Sequence, residues 1–227
     1  AALPEPVLMG LEESEEGQML WEDKLRDWVE RASVIAIGCG LRTGIQGAQL
    51  LEEVLRHRRS PLILDADGIN LLAQWPELLD RLGPECLITP HPLEFSRLTG
   101  RPVAEIEGNR IQAAREFAQR TGALVLLKGS RTVVAAPDGR FYVNHTGNSG
   151  LAKGGSGDVL TGMIAGFAAQ GAPLFQAAAL AACLHGACAD LLALERSVYS
   201  ILPSDLVEIL PILLKQLEKP AEAARLP

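Results

Sequence analysis

NHTGNSGLAKGGSGDVLTGMIAGFAAQG, residues 144–171, is a glycine-dense loop that turns without a break into an amphipathic helix. Gly147, Gly150, Gly154, Gly155 and Gly157 crowd the loop, and Leu160, Met163, Ile164, Phe167 and Ala168 then fall at helical spacing. Glycine lets a ligand approach the main chain closely, and the free N–H groups and macrodipole of a helix N-terminus attract negative charge. Together they predict an anion site, and a phosphate fits it. Two common phosphate motifs are excluded by inspection. Gly155 is followed by Ser156-Gly157 and not by the Lys and hydroxyl of a P-loop, and Leu160 stands where a dinucleotide loop needs its third glycine. Asp158 keeps two readings: a cap or first-turn carboxylate worth about 1 kcal/mol, or a base beside the anion that takes a proton from an attacking hydroxyl.

Around this loop the chain alternates. A helix is expected over Met19–Ala32, then a fully buried strand Val34–Ile37 ending at Gly38-Cys39-Gly40. A helix over Ile45–His57 precedes a strand Pro61–Leu64, which delivers Asp65-Ala66-Asp67-Gly68 and turns helical over Ile69–Leu72. The strand Cys86–Ile88 ends in Thr89-Pro90-His91-Pro92-Leu93-Glu94, and a helix over Val103–Arg120 leads to the strand Ala123–Leu127 and then Lys128-Gly129-Ser130-Arg131-Thr132. Val133–Ala136 and Arg140–Val143 flank Pro137-Asp138-Gly139 and predict a hairpin that runs into the glycine loop. Helices then follow over 157–170, 173–194 and 204–217, the last capped by Ser204. Residues 1–17, with Leu3, Val7, Leu8 and Met9, hold at most one short strand, and the tail after Lys219 is expected to fray. Strands without period-2 polarity, separated by helices, indicate an α/β protein: a parallel sheet covered on both faces, with ligands at the strand carboxyl ends.

Composition narrows the class. A length of 227 residues with 48% hydrophobic content allows one large core, and a single domain is expected over 1–227. Net charge −7, with Arg56-His57-Arg58-Arg59 as the basic run, argues against nucleic acid and against an anionic membrane. Cys39, Cys86, Cys183 and Cys188 show no C-x-x-C spacing, so no disulfide is expected, and Cys183, His185 and Cys188 point around a helix rather than to one metal. No signal peptide and no apolar run long enough to span a bilayer is expected, which predicts a cytoplasmic location; the glycosylation sequon Asn144-His145-Thr146 is then accidental.

The strand-end residues keep their alternatives. Asp65 and Asp67, and Glu94 beside them, could hold Mg²⁺ through water, or the aspartates could serve turn chemistry before Gly68. His91 sits between prolines in a stiff, extended segment that places a side chain reproducibly. Lys128 could meet phosphate as a point charge or be solvated.

With these residues assembled, the sequence resembles the ADP/ATP-dependent NAD(P)H-hydrate dehydratase family, a branch of the ribokinase-like α/β fold, from about Pro4 to Leu217. The resemblance rests on Leu64-Asp65-Ala66-Asp67, Thr89-Pro90-His91-Pro92-x-Glu94, Leu127-Lys128-Gly129-x-x-Thr132 and, above all, the string from Asn144 to Leu160. It implies a mostly parallel central sheet with helices on both faces, and a lyase that repairs hydrated NADH and NADPH: a nucleotide phosphorylates the ring hydroxyl and phosphate is eliminated. ADP or ATP with Mg²⁺, and a homo-oligomer, are implied with it. Asp158 would be the base, and Gly155 and Gly157 belong to the loop holding the migrating phosphoryl. Gly40, His91 and Asp158 would contact the hydrated nucleotide, and Lys128, Gly129, Ser130, Arg131, Thr132 and Gly157 the adenine nucleotide. The family's first strand and its glycine- and tyrosine-bearing loop have no counterpart in 1–227, and Arg42 and Leu93 stand where the family usually has glycine. A small-molecule kinase of the same fold is the alternative, using the same loop and Asp158 but releasing a stable phosphorylated alcohol.

Overall fold

The structure, a computed structural model, describes residues 6–218. The expectations placed on Leu3 and on the tail after Lys219 lie outside those residues. One six-stranded sheet runs in chain order: β1 (Ile35–Ile37), β2 (Leu62–Leu64), β3 (Cys86–Ile88), β4 (Leu124–Leu127), β5 (Val133–Ala135) and β6 (Phe141–Val143). β1 to β4 are parallel, with Ile35 opposite Leu62, Leu62 opposite Cys86 and Leu87 opposite Leu124. β5 and β6 are antiparallel, with Leu127 opposite Val133 and Val133 opposite Val143. The expected hairpin is present, and its two reversals return the chain to the carboxyl edge of the parallel strands, where the glycine loop begins.

The apolar runs of the strands divide residue by residue between two cores, as the two-residue side-chain period requires. Leu62, Leu64, Cys86, Ile88, Val125 and Leu127 pack with α2 (Ile45–His57), α3 (Asp67–Gln74), α4 (Pro92–Thr99) and α6 (Arg110–Thr121). Ile63, Leu87, Leu124 and Leu126 pack with α7 (Ser156–Ala169) and α8 (Leu174–Ala193), which α9 (Pro203–Leu217) backs. Leu62, Ile63, Leu64, Leu87, Ile88 and Leu126 are fully buried, each contributing about 1.5–3 kcal/mol relative to exposure. The α/β class with helices on both faces is therefore present.

Several local expectations are corrected. β1 is an edge strand with Ala36 exposed, because among the described residues no strand covers its outer side. The described part of 1–17 stays within the expected limit of one short strand, holding an isolated bridge from Glu13 to Met19. That bridge delays the first helix, α1, to Asp23–Arg31. The long helix expected over 103–120 is two, α5 (Val103–Gly108) and α6, because Asn109 leaves helical geometry and accepts from the Gln112 N–H as a new cap. His91 keeps the expected extended backbone, but a helix that the sequence did not show begins directly after it at Pro92 and ends at Gly100, in the left-handed region. Ser204 is not the cap of α9; Pro203 opens the helix and Asp205 accepts from the Leu202 N–H at 2.7 Å. α8 also corrects the expectation about apolar runs, since an 18-residue window within its 20 residues has a mean hydropathy of 1.4 and could cross a bilayer by length and composition; here 56% of that window is buried inside the protein.

Candidate active site

Four strand ends and the glycine loop meet on one edge. Gly38-Cys39-Gly40 follows β1, Asp65 follows β2, Thr89 to His91 follow β3, and Lys128 follows β4. The glycine loop arrives above them because side chains on one side of it hold α8. Asn144 donates to the Ala182 carbonyl at 3.1 Å and Thr146 to the Cys183 carbonyl at 2.7 Å. Asp190 accepts from the Gly147 N–H at 2.7 Å and from Asn148 at 2.9 Å. At Gly186 the two segments touch: a Cβ there would collide with the Thr146 hydroxyl and main chain, so only glycine lets α8 approach.

His185, also on α8, fixes the start of α7. Its Nε2 lies 3.0 Å from the Ser156 carbonyl and 3.2 Å from the Ser156 hydroxyl. A carbonyl only accepts, so Nε2 carries a proton and donates it to the Ser156 carbonyl. Burial pushes this imidazole down to about 4, despite the bond to the Ser156 carbonyl. Between the ordinary value near 6.5 and about 4 the unfolded chain therefore binds the proton that the folded one refuses. Stability is expected to fall by roughly 3 kcal/mol as pH drops through that window, and His185→Gln should flatten this acid limb in urea melts. Equal acid limbs in the two proteins would remove the assignment.

Gly155 is the residue before α7, with φ +87°, and among the described residues no side chain caps this helix. Asp158 is thus not the N-cap. It is an exposed carboxylate in the first helical turn. A Cβ on Gly157 would stand 3.4 Å from Lys128 Nζ and 3.8 Å from Asp65 Oδ2, so the missing side chain leaves a space bounded by the amides of the turn and one ammonium. Free N–H groups at a helix start beside an ammonium suit an anion such as a phosphoryl group.

Beneath it, the buried Asp65 accepts from Lys128 Nζ at 2.7 Å and from the Thr161 hydroxyl at 2.9 Å. Burial alone would raise the Asp65 carboxyl, but the Lys128 charge and the hydrogen bonds hold it below the ordinary range. Thr161 was missed in the sequence; its signal is a hydroxyl one helical turn beyond Gly157, within an otherwise apolar run. Lys128 Nζ also lies 4.0 Å from Glu94. The protein's own ammonium therefore stands between Asp65 and Glu94. Glu94 accepts from the His91 N–H at 2.8 Å, and Asp67 from the Arg42 N–H at 2.9 Å and from Asn70 at 3.3 Å. The carboxylate that does approach Asp65 is Asp158. With Cys39 they place three ligand-type atoms within 4.8 Å of one another, and the carboxylates of this set suit Mg²⁺.

His91 stands beside Lys128 and caps α4, its Nδ1 accepting from the N–H groups of Leu93 at 3.1 Å and Glu94 at 3.2 Å. Partial burial lowers its imidazole, the Glu94 charge notwithstanding. Gly40, with φ +73°, is exposed and a Cβ there would meet open space. Gly129 to Thr132 form a tight turn in which the Thr132 hydroxyl receives from the Gly129 N–H at 3.3 Å and donates to the Gly129 carbonyl at 3.1 Å, with Arg131 at φ +59°; Ser130 is exposed at its tip. Arg110, unremarked in the sequence, donates to the carbonyls of Leu127 at 2.8 Å and Lys128 at 3.0 Å and so holds that strand end.

Known proteins share this arrangement of sequence and fold. The NAD(P)H-hydrate dehydratase family profile matches residues 6–212. A bifunctional NAD(P)H-hydrate repair enzyme of Moorella thermoacetica is 41% identical over 220 residues, 96% of this chain and 42% of that protein. The structure of the ADP/ATP-dependent NAD(P)H-hydrate dehydratase from Bacillus subtilis, co-crystallized with ATP/Mg²⁺ and soaked with CoA, aligns with a TM-score of 0.72 at 35% identity, covering 89% of this chain and 75% of that one. A ribokinase-like superfamily protein from Enterococcus faecalis aligns with a TM-score of 0.75 at 33% identity, covering 85% and 66%. The chain spans about half the length of the curated relatives it matches. With a profile match across nearly all the described residues and a ribokinase-like sheet that carries the glycine loop, this chain belongs to the NAD(P)H-hydrate dehydratase family.

Proposed function

We propose that the chain dehydrates hydrated NADH and NADPH, using ADP or ATP to convert the ring hydroxyl into a phosphate leaving group. The observation that carries the reading is the first turn of α7, which no side chain caps among the described residues: the Lys128 ammonium lies 3.4 Å from where a Gly157 side chain would begin, and Asp158 stands in the same turn. In this reading the amides of Gly155 and Gly157 hold the transferring phosphoryl, and such donors contribute about 3–4 kcal/mol each to a transition state. Asp158 removes the proton of the attacking hydroxyl. Lys128, anchored by Asp65, keeps further N–H donors for phosphate oxygens. Gly40 and His91 border the hydrated nicotinamide, and the turn from Gly129 to Thr132 borders the adenine nucleotide. Mg²⁺ would be held by Asp158 and Asp65 and would neutralise phosphate charge. Self-association belongs to the same proposal; exposed Val207 and Ile212 on α9 support it.

Incubation with hydrated NADH, Mg²⁺ and ADP or ATP tests the reading. Recovery of reduced-nicotinamide absorbance with release of phosphate is expected, whereas a stable phosphorylated product would assign a kinase instead. Gly157→Val should fill the space above Lys128 without straining the helix, and so weaken nucleotide binding with the fold intact. Calorimetry checks this; an unchanged dissociation constant would move the nucleotide elsewhere.

A further inference from the structure

Three side chains from separate elements converge on the rim of the site: Cys39 from the turn after β1, Asp65 from the end of β2 and Asp158 from the first turn of α7. Their ligand atoms lie within 4.8 Å of one another, and Cys39 Sγ is 3.9 Å from Asp65 Oδ2. We infer that these three residues form a binding site for a thiophilic divalent cation of the Zn²⁺ or Cd²⁺ class, which closes the catalytic site by engaging the Asp158 carboxylate. Tetrahedral coordination with metal–sulfur and metal–oxygen lengths of about 2.3 and 2.1 Å separates ligand atoms by about 3.4–3.6 Å. The cluster must therefore contract by up to about 1.4 Å, which the exposed Cys39 and Asp158 would supply by turning toward the buried Asp65.

Asp65 is braced for the role, since Lys128 holds one oxygen while Thr161 orients the other, the one facing Cys39. On binding, the Cys39 sulfur gives its proton to solvent and forms the metal–sulfur bond. Three protein ligands leave a fourth position to water, as in an open zinc site. Sulfur sets the selectivity: Mg²⁺ demands oxygen ligands and gains nothing from Cys39, whereas Zn²⁺ and Cd²⁺ do.

Titration of the nucleotide-free protein with Cd²⁺ in excess Mg²⁺, followed by the ultraviolet thiolate-to-cadmium absorbance, tests the site without any turnover. The wild type should give a saturable band at one Cd²⁺ per chain, Cys39→Ser should lose the band, and Asp158→Asn should keep it with Cd²⁺ affinity weakened about 10–100-fold. An absent band in the wild type, an equal band in Cys39→Ser, or unaltered affinity in Asp158→Asn would each overturn the site. The inhibitory consequence rests on the dehydratase reading, and Zn²⁺ should lower wild-type turnover far more than that of Cys39→Ser, each relative to its own zinc-free rate. Binding with equal turnover loss in both proteins would overturn the closure while leaving the reaction itself intact.

Discussion

Asp158→Asn is expected to bind adenine nucleotide and fold normally, yet turn over hydrated NADH about 10²–10⁴-fold more slowly. The substitution preserves size and removes the capacity to accept a proton. Because Asp158 is exposed in the first turn of α7, no buried group loses a partner, and the helix forfeits at most the favourable dipole contact of a charge, about 0.3–1 kcal/mol. Steady-state turnover together with nucleotide calorimetry separates the two effects. Wild-type-like turnover would leave Asp158 a helix-end carboxylate and nothing more.

Lys128→Met is expected to destabilise the protein by about 3–5 kcal/mol at neutral pH, because it leaves a buried carboxylate without its cation. The side chains of Lys128 and Asp65 are 20% and 2% exposed, so solvent does little to replace the lost partner. Asp65 has its carboxyl held low in the folded protein. The stabilisation is therefore complete above the unfolded value near 3.9 and is lost as pH falls through the lower folded one. In the variant Asp65 takes up a proton at higher pH and no longer needs the ammonium. The gap between the two proteins should be widest near neutrality and narrow in acid, and adding Asp65→Asn should recover part of it. Urea denaturation at two pH values decides: a gap below about 1 kcal/mol at neutrality, the worth of a surface pair, would show that the pair is solvated after all.

The loop from Asn144 to Asp158 was legible in the sequence because its chemistry is local. Glycine spacing, the following apolar stripe and the hairpin before it are all readable within short windows, and the structure places them as read. The pairing of Asp65 with Lys128 and Thr161 was not, since those residues lie 63 and 96 positions away and meet through strand order alone. The same limit hid the partners of Asp67 and Glu94, whose oxygens serve the N–H groups of Arg42 and His91. Helix ends failed for a different reason. A single competing cap, Asn109, redirects the backbone at an energy comparable with the pattern that predicted one long helix. His185, read only as pointing around an apolar helix, is buried with its ring committed to Ser156.

The contact at Gly186 carries an evolutionary consequence. A lone hydrogen atom on a twenty-residue helix sets the clearance between the scaffold and the segment where phosphate chemistry is proposed. Under the proposed reaction, selection for turnover would reach position 186 through packing alone, and drift along α8 would be free only as far as that clearance survives.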